Sequence, residues 1–251
     1  MLEFNKLYLG DCLDVMDGID DHSVDAIICD LPYEVTAHSD DKIIPFEPLW
    51  KQYKRVIKEN GAIVLFAQGL FYIDLVCSNR EWFRYDLVWD KVLTSGFLNA
   101  NRMPLRVHEQ IAVFYKELPT YNPQKTIGEP VHSKGTKFLN NGGINNNYGS
   151  YNAQESIITE EKHPKSILTF QKPHPSTAQH RTEKSIPLLE WLVKTYTNKG
   201  ELVLDNSCGS ATLPIACFNT GRNFIGIEKD AEIFAKAKER LRVAMMKKKL
   251  F

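Results

Sequence analysis

Short apolar runs alternate along this chain with helical stretches, and that alternation restricts its fold more than any other feature. The runs fall at Leu7-Tyr8-Leu9, Val24 to Cys29, Ala62 to Ala67, Arg84 to Trp89 and Gln110 to Tyr115, then at Glu201 to Leu204 and Asn223 to Ile227. Helical stretches lie near Leu13 to Met16, at Pro48 to Lys58 and at Ile186 to Tyr196, where Leu188, Leu189, Leu192 and Val193 recur at helical spacing. A charged helix, Ala231 to Met246, follows the last run. Apolar strands separated by helices need cover on both faces, so the expected class is α/β with a mainly parallel central sheet and helices on both sides. A chain of 251 residues, 43% of them hydrophobic, is long enough to bury such a core.

From about Glu117 to His163 the pattern changes to Asn, Gly, Ser, Tyr and Lys, including Asn140-Asn-Gly-Gly-Ile-Asn-Asn-Asn147, with little apolar periodicity. The expected division is therefore residues 1–116 and 164–251 as two parts of one domain, with 117–163 as a small loop-rich insertion.

Composition excludes several classes. No run of about 18 apolar residues suggests a membrane span, and the polar start lacks the pattern of a signal peptide. Five cysteines with no CxxC pair fit a reducing cytoplasm without disulfides or zinc, and seven histidines show no metal-ligand spacing. Lys and Arg number 31 against 31 Asp and Glu, so any nucleic-acid surface must be local.

The strongest local signal is Leu202-Val-Leu-Asp-Asn-Ser-Cys-Gly-Ser-Ala-Thr212, a buried strand ending in an acid and a small-residue turn that opens a helix. Such a turn lets backbone approach a ligand closely at the carboxyl end of a sheet. A second strand, Phe224-Ile-Gly-Ile-Glu228, ends in a carboxylate about 20 residues further on, the spacing at which an acid accepts the hydroxyls of a ribose. Together they predict a nucleoside cofactor, although strand, glycine turn and helix occur in many α/β proteins, where the acid only caps the helix. The turn lacks the full GxGxxG pattern, which disfavours a dinucleotide.

The second signal is Ile27-Ile-Cys-Asp-Leu-Pro-Tyr33. Proline holds the preceding residue extended, so the Asp30 carboxylate and the Leu31 carbonyl can form two fixed acceptors that grip one amino group. The exocyclic amine of a base is a poor nucleophile because its lone pair is delocalised. Acceptors placed in advance stabilise the charge that grows on that nitrogen during attack. Tyr33 would stack on the face of the base. The simpler reading is a tight turn after a core strand.

In these two segments the chain resembles the DNA amino-methyltransferases, whose catalytic motif is [D/N/S]-P-P-[Y/F/W] and whose cofactor motif is a D-x-F-x-G-x-G-like turn. Leu31 replaces the first proline of one motif, and Ala211 the last glycine of the other. The catalytic motif precedes the cofactor motif, as in the circularly permuted β class, and further similar segments run from Gly10-Asp11-Cys12 through Asn60 to Phe66 and His108 to Tyr115. The resemblance implies a Rossmann-like methyltransferase fold, S-adenosylmethionine as cofactor and double-stranded DNA as substrate. It assigns catalysis to Asp30, Leu31, Pro32 and Tyr33. It assigns cofactor contacts to Asp11, Cys12, Asp30, His180, Thr182, Lys184, Asp205, Ser207, Cys208, Gly209, Ser210, Thr212, Glu228 and Lys229. In this picture Asp11 lies near the adenine, Glu228 on the ribose, Asp205 near the methionine amino group, and the His180 segment along the methionine end.

The insertion then takes the place of a target recognition domain, with Lys125, Lys134 and Lys137 as candidate DNA contacts. Asp at the head of the catalytic motif resembles the adenine-N6 enzymes more than the cytosine-N4 enzymes. Phe97 to Pro104 and Leu118 to Gln124 resemble methylases of phages and prophages, which implies a bacterial or phage-infected cytoplasm and a monomer or homodimer. The competing readings are cytosine-N4 methylation, methylation of RNA or of a protein amide, an inactive DNA-binding relative, and a nicotinamide dehydrogenase. Motif order disfavours the RNA and amide enzymes, and the incomplete glycine pattern disfavours the dehydrogenase.

Overall fold

The computed structural model describes residues 2–33, 42–128, 139–140, 143–145, 149–151, 154–155, 160–173 and 183–248. The chain forms two units, Met1–Asn122 with Lys165–Phe251, and Pro123–Pro164. The first unit opens with β1 (Lys6–Leu9), α1 (Cys12–Met16), β2 (Val24–Asp30), α2 (Phe46–Val56), β3 (Ile57–Ala67), α3 (Gly69–Ser78), β4 (Phe83–Ser95) and β5 (Arg106–Phe114). The second holds short strands only: β6 (Thr126–Ile127), β7 (Leu139–Asn140), β8 (Gly143–Asn145), β9 (Gly149–Tyr151), β10 (Gln154–Glu155) and β11 (Glu161–Lys162). They pair antiparallel as β6 with β11, β7 with β10 and β8 with β9. The first unit resumes with β12 (Ile167–Thr169), α4 (Ile186–Tyr196), β13 (Leu202–Asp205), α5 (Thr212–Thr220), β14 (Asn223–Glu228) and α6 (Ala231–Lys248).

Eight strands make the central sheet, in the order β1-β14-β13-β2-β3-β5-β4-β12. Only β5 runs against the rest, pairing antiparallel with β3 and β4. The catalytic-motif strand β2 and the cofactor-motif strand β13, far apart in sequence, are parallel neighbours through Val203–Ala26 and Leu204–Ile27.

The period of two along each strand divides the core into two layers. Ala26 and Ile28 of β2 join one cluster, with Val64, Phe66, Trp89, Leu188, Leu192, Val203 and Phe224. Ile27 and Cys29 join the other, with Ile63, Leu65, Leu49, Trp50, Tyr53, Leu204 and Ile225. Helices α4, α5 and α6 supply the first layer, and α1, α2 and α3 the second. This explains why β2 reads as a continuous apolar run: both of its faces are covered.

In the first unit, α3 and β12 carry no clear sequence signal. Helix α3 leaves Leu70 and Ile73 exposed, 78% and 54%, so its apolar residues trace no single stripe. Strand β12 is three residues long and gains its identity from pairing with Val88, Trp89 and Asp90 of β4.

Candidate active site

Asp30, Asp205 and Glu228 end three neighbouring parallel strands, β2, β13 and β14, and stand along one carboxyl edge of the sheet. Loops diverge at that edge, which is where open α/β sheets bind ligands. With strands about 4.8 Å apart, the row spans roughly 10 Å. Asp205 pairs with Gly226, two residues short of Glu228, so it lies deeper than Glu228 and is only 5% exposed.

Depth sets the chemistry of these acids. Burial pushes the Asp205 carboxyl up to about 7, against the opposing pull of the Ser207 N–H, 3.3 Å away, and the Cys29 thiol; the charges of Asp30 and Glu228 raise it further. Burial also raises Glu228, while backbone N–H groups oppose it. Gly209 N–H donates to one of its oxygens at 2.9 Å and Asp230 N–H to the other at 2.8 Å, which fixes the plane of the carboxylate.

The turn from Ser207 to Ala211 places the Gly209 donor, and Asp230 follows β14. Gly209 and Ala211 both lie in the left-handed region, at φ 50° and 61°. Glycine adopts it freely, whereas alanine pays roughly 1 kcal/mol, so the surroundings must hold Ala211 there. Arg240 of α6 does part of this, donating to the Ser210 carbonyl at 3.0 Å, to Ser210 Oγ at 2.8 Å and to Thr212 Oγ1 at 3.0 Å. The same guanidinium pairs with Glu183.

Around Asp30 the structure builds a chain of alternating charges. Lys184 Nζ lies 2.8 Å from Asp30 Oδ2 and 2.9 Å from Glu109 Oε2, and Lys91 Nζ lies 3.1 Å from Glu109 Oε1. The Lys91 and Lys184 side chains are 7% and 8% exposed, that of Glu109 12% and that of Asp30 27%, so the chain opens to solvent at Asp30. Burial alone would lower Lys184, but Asp30 and Glu109 outweigh it and the lysine is raised and charged. Burial acts upward on Glu109, yet Lys184 and Lys91 bring it below the usual carboxylate range. At Asp30 burial prevails and the carboxyl is raised, with Lys184 pulling the other way and Glu109 adding to the rise. The rings of Phe66, Trp89 and Tyr33 lie 5.1, 5.8 and 5.9 Å from the Lys184 ammonium.

Tyr33 does more than offer a ring. Its hydroxyl donates to Asp30 Oδ1 at 2.5 Å, and its ring stands 4.9 Å from that of Phe71, tilted by 32°. Leu31 is 4% exposed and packs with the α1–α3 layer, which accounts for leucine at a position where the motif carries proline: here the side chain anchors the turn.

Of the other expected contacts, Asp11 caps α1 through Leu13 N–H at 3.0 Å and pairs with Lys229 at 3.0 Å. Cys12 and Cys208 are buried, and Cys208 N–H donates to the Ile227 carbonyl at 2.8 Å. Ser210 and Thr212 hydroxyls lie 3.2 Å apart. His180 and Thr182 lie outside the described residues, as do Lys134 and Lys137. Sequence reasoning gave no role to Lys91, Glu109, Glu183 or Arg240. Little signal was available, because the lysine and the glutamate stand beside other polar residues of the same strands, Asp90 in β4 and His108 and Gln110 in β5.

Proteins of similar sequence and fold identify the family. The N6/N4 methylase family model, described as DNA methylase, matches residues 24–239. The Type II methyltransferase M1.MboII of Moraxella bovis is 27% identical, covering 92% of this chain and 94% of its own. The DNA adenine methyltransferase YhdJ of Escherichia coli K12 is 25% identical, covering 96% and 84%. Among solved structures, the M1.HpyAVI–SAM complex superposes with a TM-score of 0.63 at 24% identity, over 94% of this chain and 98% of the other. The cytosine-N4-specific PvuII DNA methyltransferase does so at 0.65 and 16%, over 94% and 85%. The chain belongs to the N6/N4 DNA methylase family.

Proposed function

We propose that this protein transfers a methyl group from S-adenosylmethionine to N6 of adenine in DNA, with Asp30 as the acceptor that activates the target amine. The observation that supports the reading is the juxtaposition of Asp30 with the Asp205–Glu228 pair on adjacent parallel strands, an acid suited to grip an amine beside two suited to a nucleoside. The residues present suit the cofactor. Asp205 is a buried acid that an ammonium group would ionise, Glu228 has a fixed plane suited to ribose hydroxyls, and the space beyond the Gly209 Cα is open. When bound, S-adenosylmethionine supplies a methyl group on a positively charged sulfur that leaves as a neutral thioether.

The chain's own groups then act on the base. The Tyr33 hydroxyl now on Asp30 Oδ1 gives way to an amine N–H of a base drawn out of the duplex, and the Leu31 carbonyl accepts the second N–H. As the N–C bond forms, positive charge on nitrogen is met by the Asp30 carboxylate. The amine then releases one proton, which Asp30 accepts or passes to water. The adenine relative YhdJ and the aspartate at the head of the motif favour adenine. The fold neighbour specific for cytosine N4 keeps that base as the second reading. The order of β2 before β13 in the chain supports membership of the circularly permuted class, and the Pro123–Pro164 unit is the candidate for target recognition.

The Asp30→Ala variant tests the role of the acid. Transfer to DNA should fall to background while the affinity for S-adenosylmethionine, measured calorimetrically without DNA, stays within about threefold. Equal loss of both would make Asp30 structural.

A further inference from the structure

The segment resemblance assigns Lys184 to the cofactor, but its ammonium is engaged elsewhere. It lies between two carboxylates, 2.8 Å from Asp30 and 2.9 Å from Glu109, and the side chain is 8% exposed against the rings of Phe66, Trp89 and Tyr33. Its neighbour Glu183 faces a different partner, Arg240, which in turn holds Ser210 and Thr212 of the cofactor turn. Two adjacent residues thus tie the two halves of the site together, one to the catalytic acid and one to the turn.

We infer that Lys184 is a positioning residue for Asp30 and not a cofactor ligand, held in place by Glu109 and Lys91 behind it and by the Glu183–Arg240 pair beside it. The inference rests on Asp30 being the acceptor of the target amine. A carboxylate beside a fixed ammonium stays ionised and keeps one orientation, which an acceptor of amine N–H groups requires. An ammonium devoted wholly to Asp30 would blunt that oxygen as an acceptor. Glu109 shares the ammonium, and Lys91 in turn balances Glu109, so two cations and two anions lie together with no net buried charge. The groups facing Asp30 are Lys184 from the segment before α4, Glu109 from β5, Tyr33 from its own turn, and Asp205 from β13.

The test uses the full chain with Lys184→Met, Lys184→Arg and the charge-balanced double variant Lys184→Met with Glu109→Gln, which keeps one buried cation and one anion if the single variant fails to fold. Each is labelled at the aspartate carboxyl carbons, and the Asp30 resonance, assigned with Asp30→Asn, is followed against pH. Affinity for S-adenosylmethionine and the pH dependence of methyl transfer are measured on the same samples. In Lys184→Met the Asp30 titration and the acid limb of the transfer rate should move to higher pH by about one unit or more, and in the double variant in the same direction by less, because the Glu109 charge that raises Asp30 is removed as well. Cofactor affinity should stay within about threefold, and Lys184→Arg should restore the wild-type titration. An unmoved Asp30 titration with cofactor affinity down tenfold or more would make Lys184 a cofactor ligand and overturn the inference. A wild-type protein that titrates as expected but methylates no DNA would overturn the proposed activity and leave the positioning result standing.

Discussion

The buried Asp205 side chain couples pH to stability, and its proposed contact with the cofactor extends that coupling to binding. Its carboxyl, ordinarily at 3.8, is pushed up to about 7 by burial, so between those values the folded chain holds a proton that the unfolded chain has lost. Stability of the free protein therefore falls as pH rises from about 4 to about 7, and Asp205→Asn, which has nothing to ionise, should melt higher than wild type at pH 8 and near it at pH 4. The same variant should bind S-adenosylmethionine at least tenfold more weakly. In the wild type, affinity should rise between about pH 6 and 7.5, with proton release visible in calorimetry across buffers of different ionisation enthalpy. An affinity independent of pH in that range would mean that Asp205 does not meet the cofactor's ammonium. Tyr33 divides in the same way. Tyr33→Phe removes a hydroxyl that has already given up Asp30 when the base is bound, so most of the transfer rate should remain, while Tyr33→Ala loses base stacking, about 1–3 kcal/mol. A phenylalanine variant as inactive as the alanine variant would make the hydroxyl essential.

At the scale of elements, the strands that carry Asp30, Asp205 and Glu228 were legible because each is an apolar run ending in an acid, a signal contained within a few residues. The partners of those acids were not. Glu109 reaches Lys184, and Lys91 reaches Glu109, from strands far away in sequence, and only the β3-β5-β4 order brings them to β2; Arg240 reads as one more surface charge on a charged helix until α6 packs against the turn. Tyr33, expected only to stack, also proves to be bonded to the acid it follows. Gly61 is a local requirement of the same kind. Where β3 shifts register against β2, between the Val24 and Ala26 pairings, a Cβ at Gly61 would meet the Asp25 carbonyl at 2.9 Å and Ile57 Cγ1 at 2.6 Å. Because one of those atoms is backbone, Gly61→Ala should destabilise the chain by about 1–3 kcal/mol in urea unfolding. A change below about 0.5 kcal/mol would show that the pairing relaxes easily.

For the whole molecule, balanced charge limits how DNA is held. With 31 basic and 31 acidic side chains there is no general attraction to phosphate, so binding must come from local contacts. The apparent DNA association constant should fall with salt on a shallow slope, the signature of few phosphate contacts, and a constant that does not vary between about 50 and 200 mM salt would exclude them. The α/β architecture was readable from the alternation of runs and helices, whereas the paired short strands between Pro123 and Pro164 follow no apolar period and were not.

The central claim is the chemical outcome on DNA. Purified protein is incubated with unmethylated bacterial DNA and S-adenosylmethionine, and the digested nucleosides are identified by mass spectrometry. N6-methyladenine is expected, absent when Asp30→Ala replaces the wild type. N4-methylcytosine would retain the site and change its base, and the absence of any methylated nucleoside from a folded, cofactor-binding protein would contradict the account.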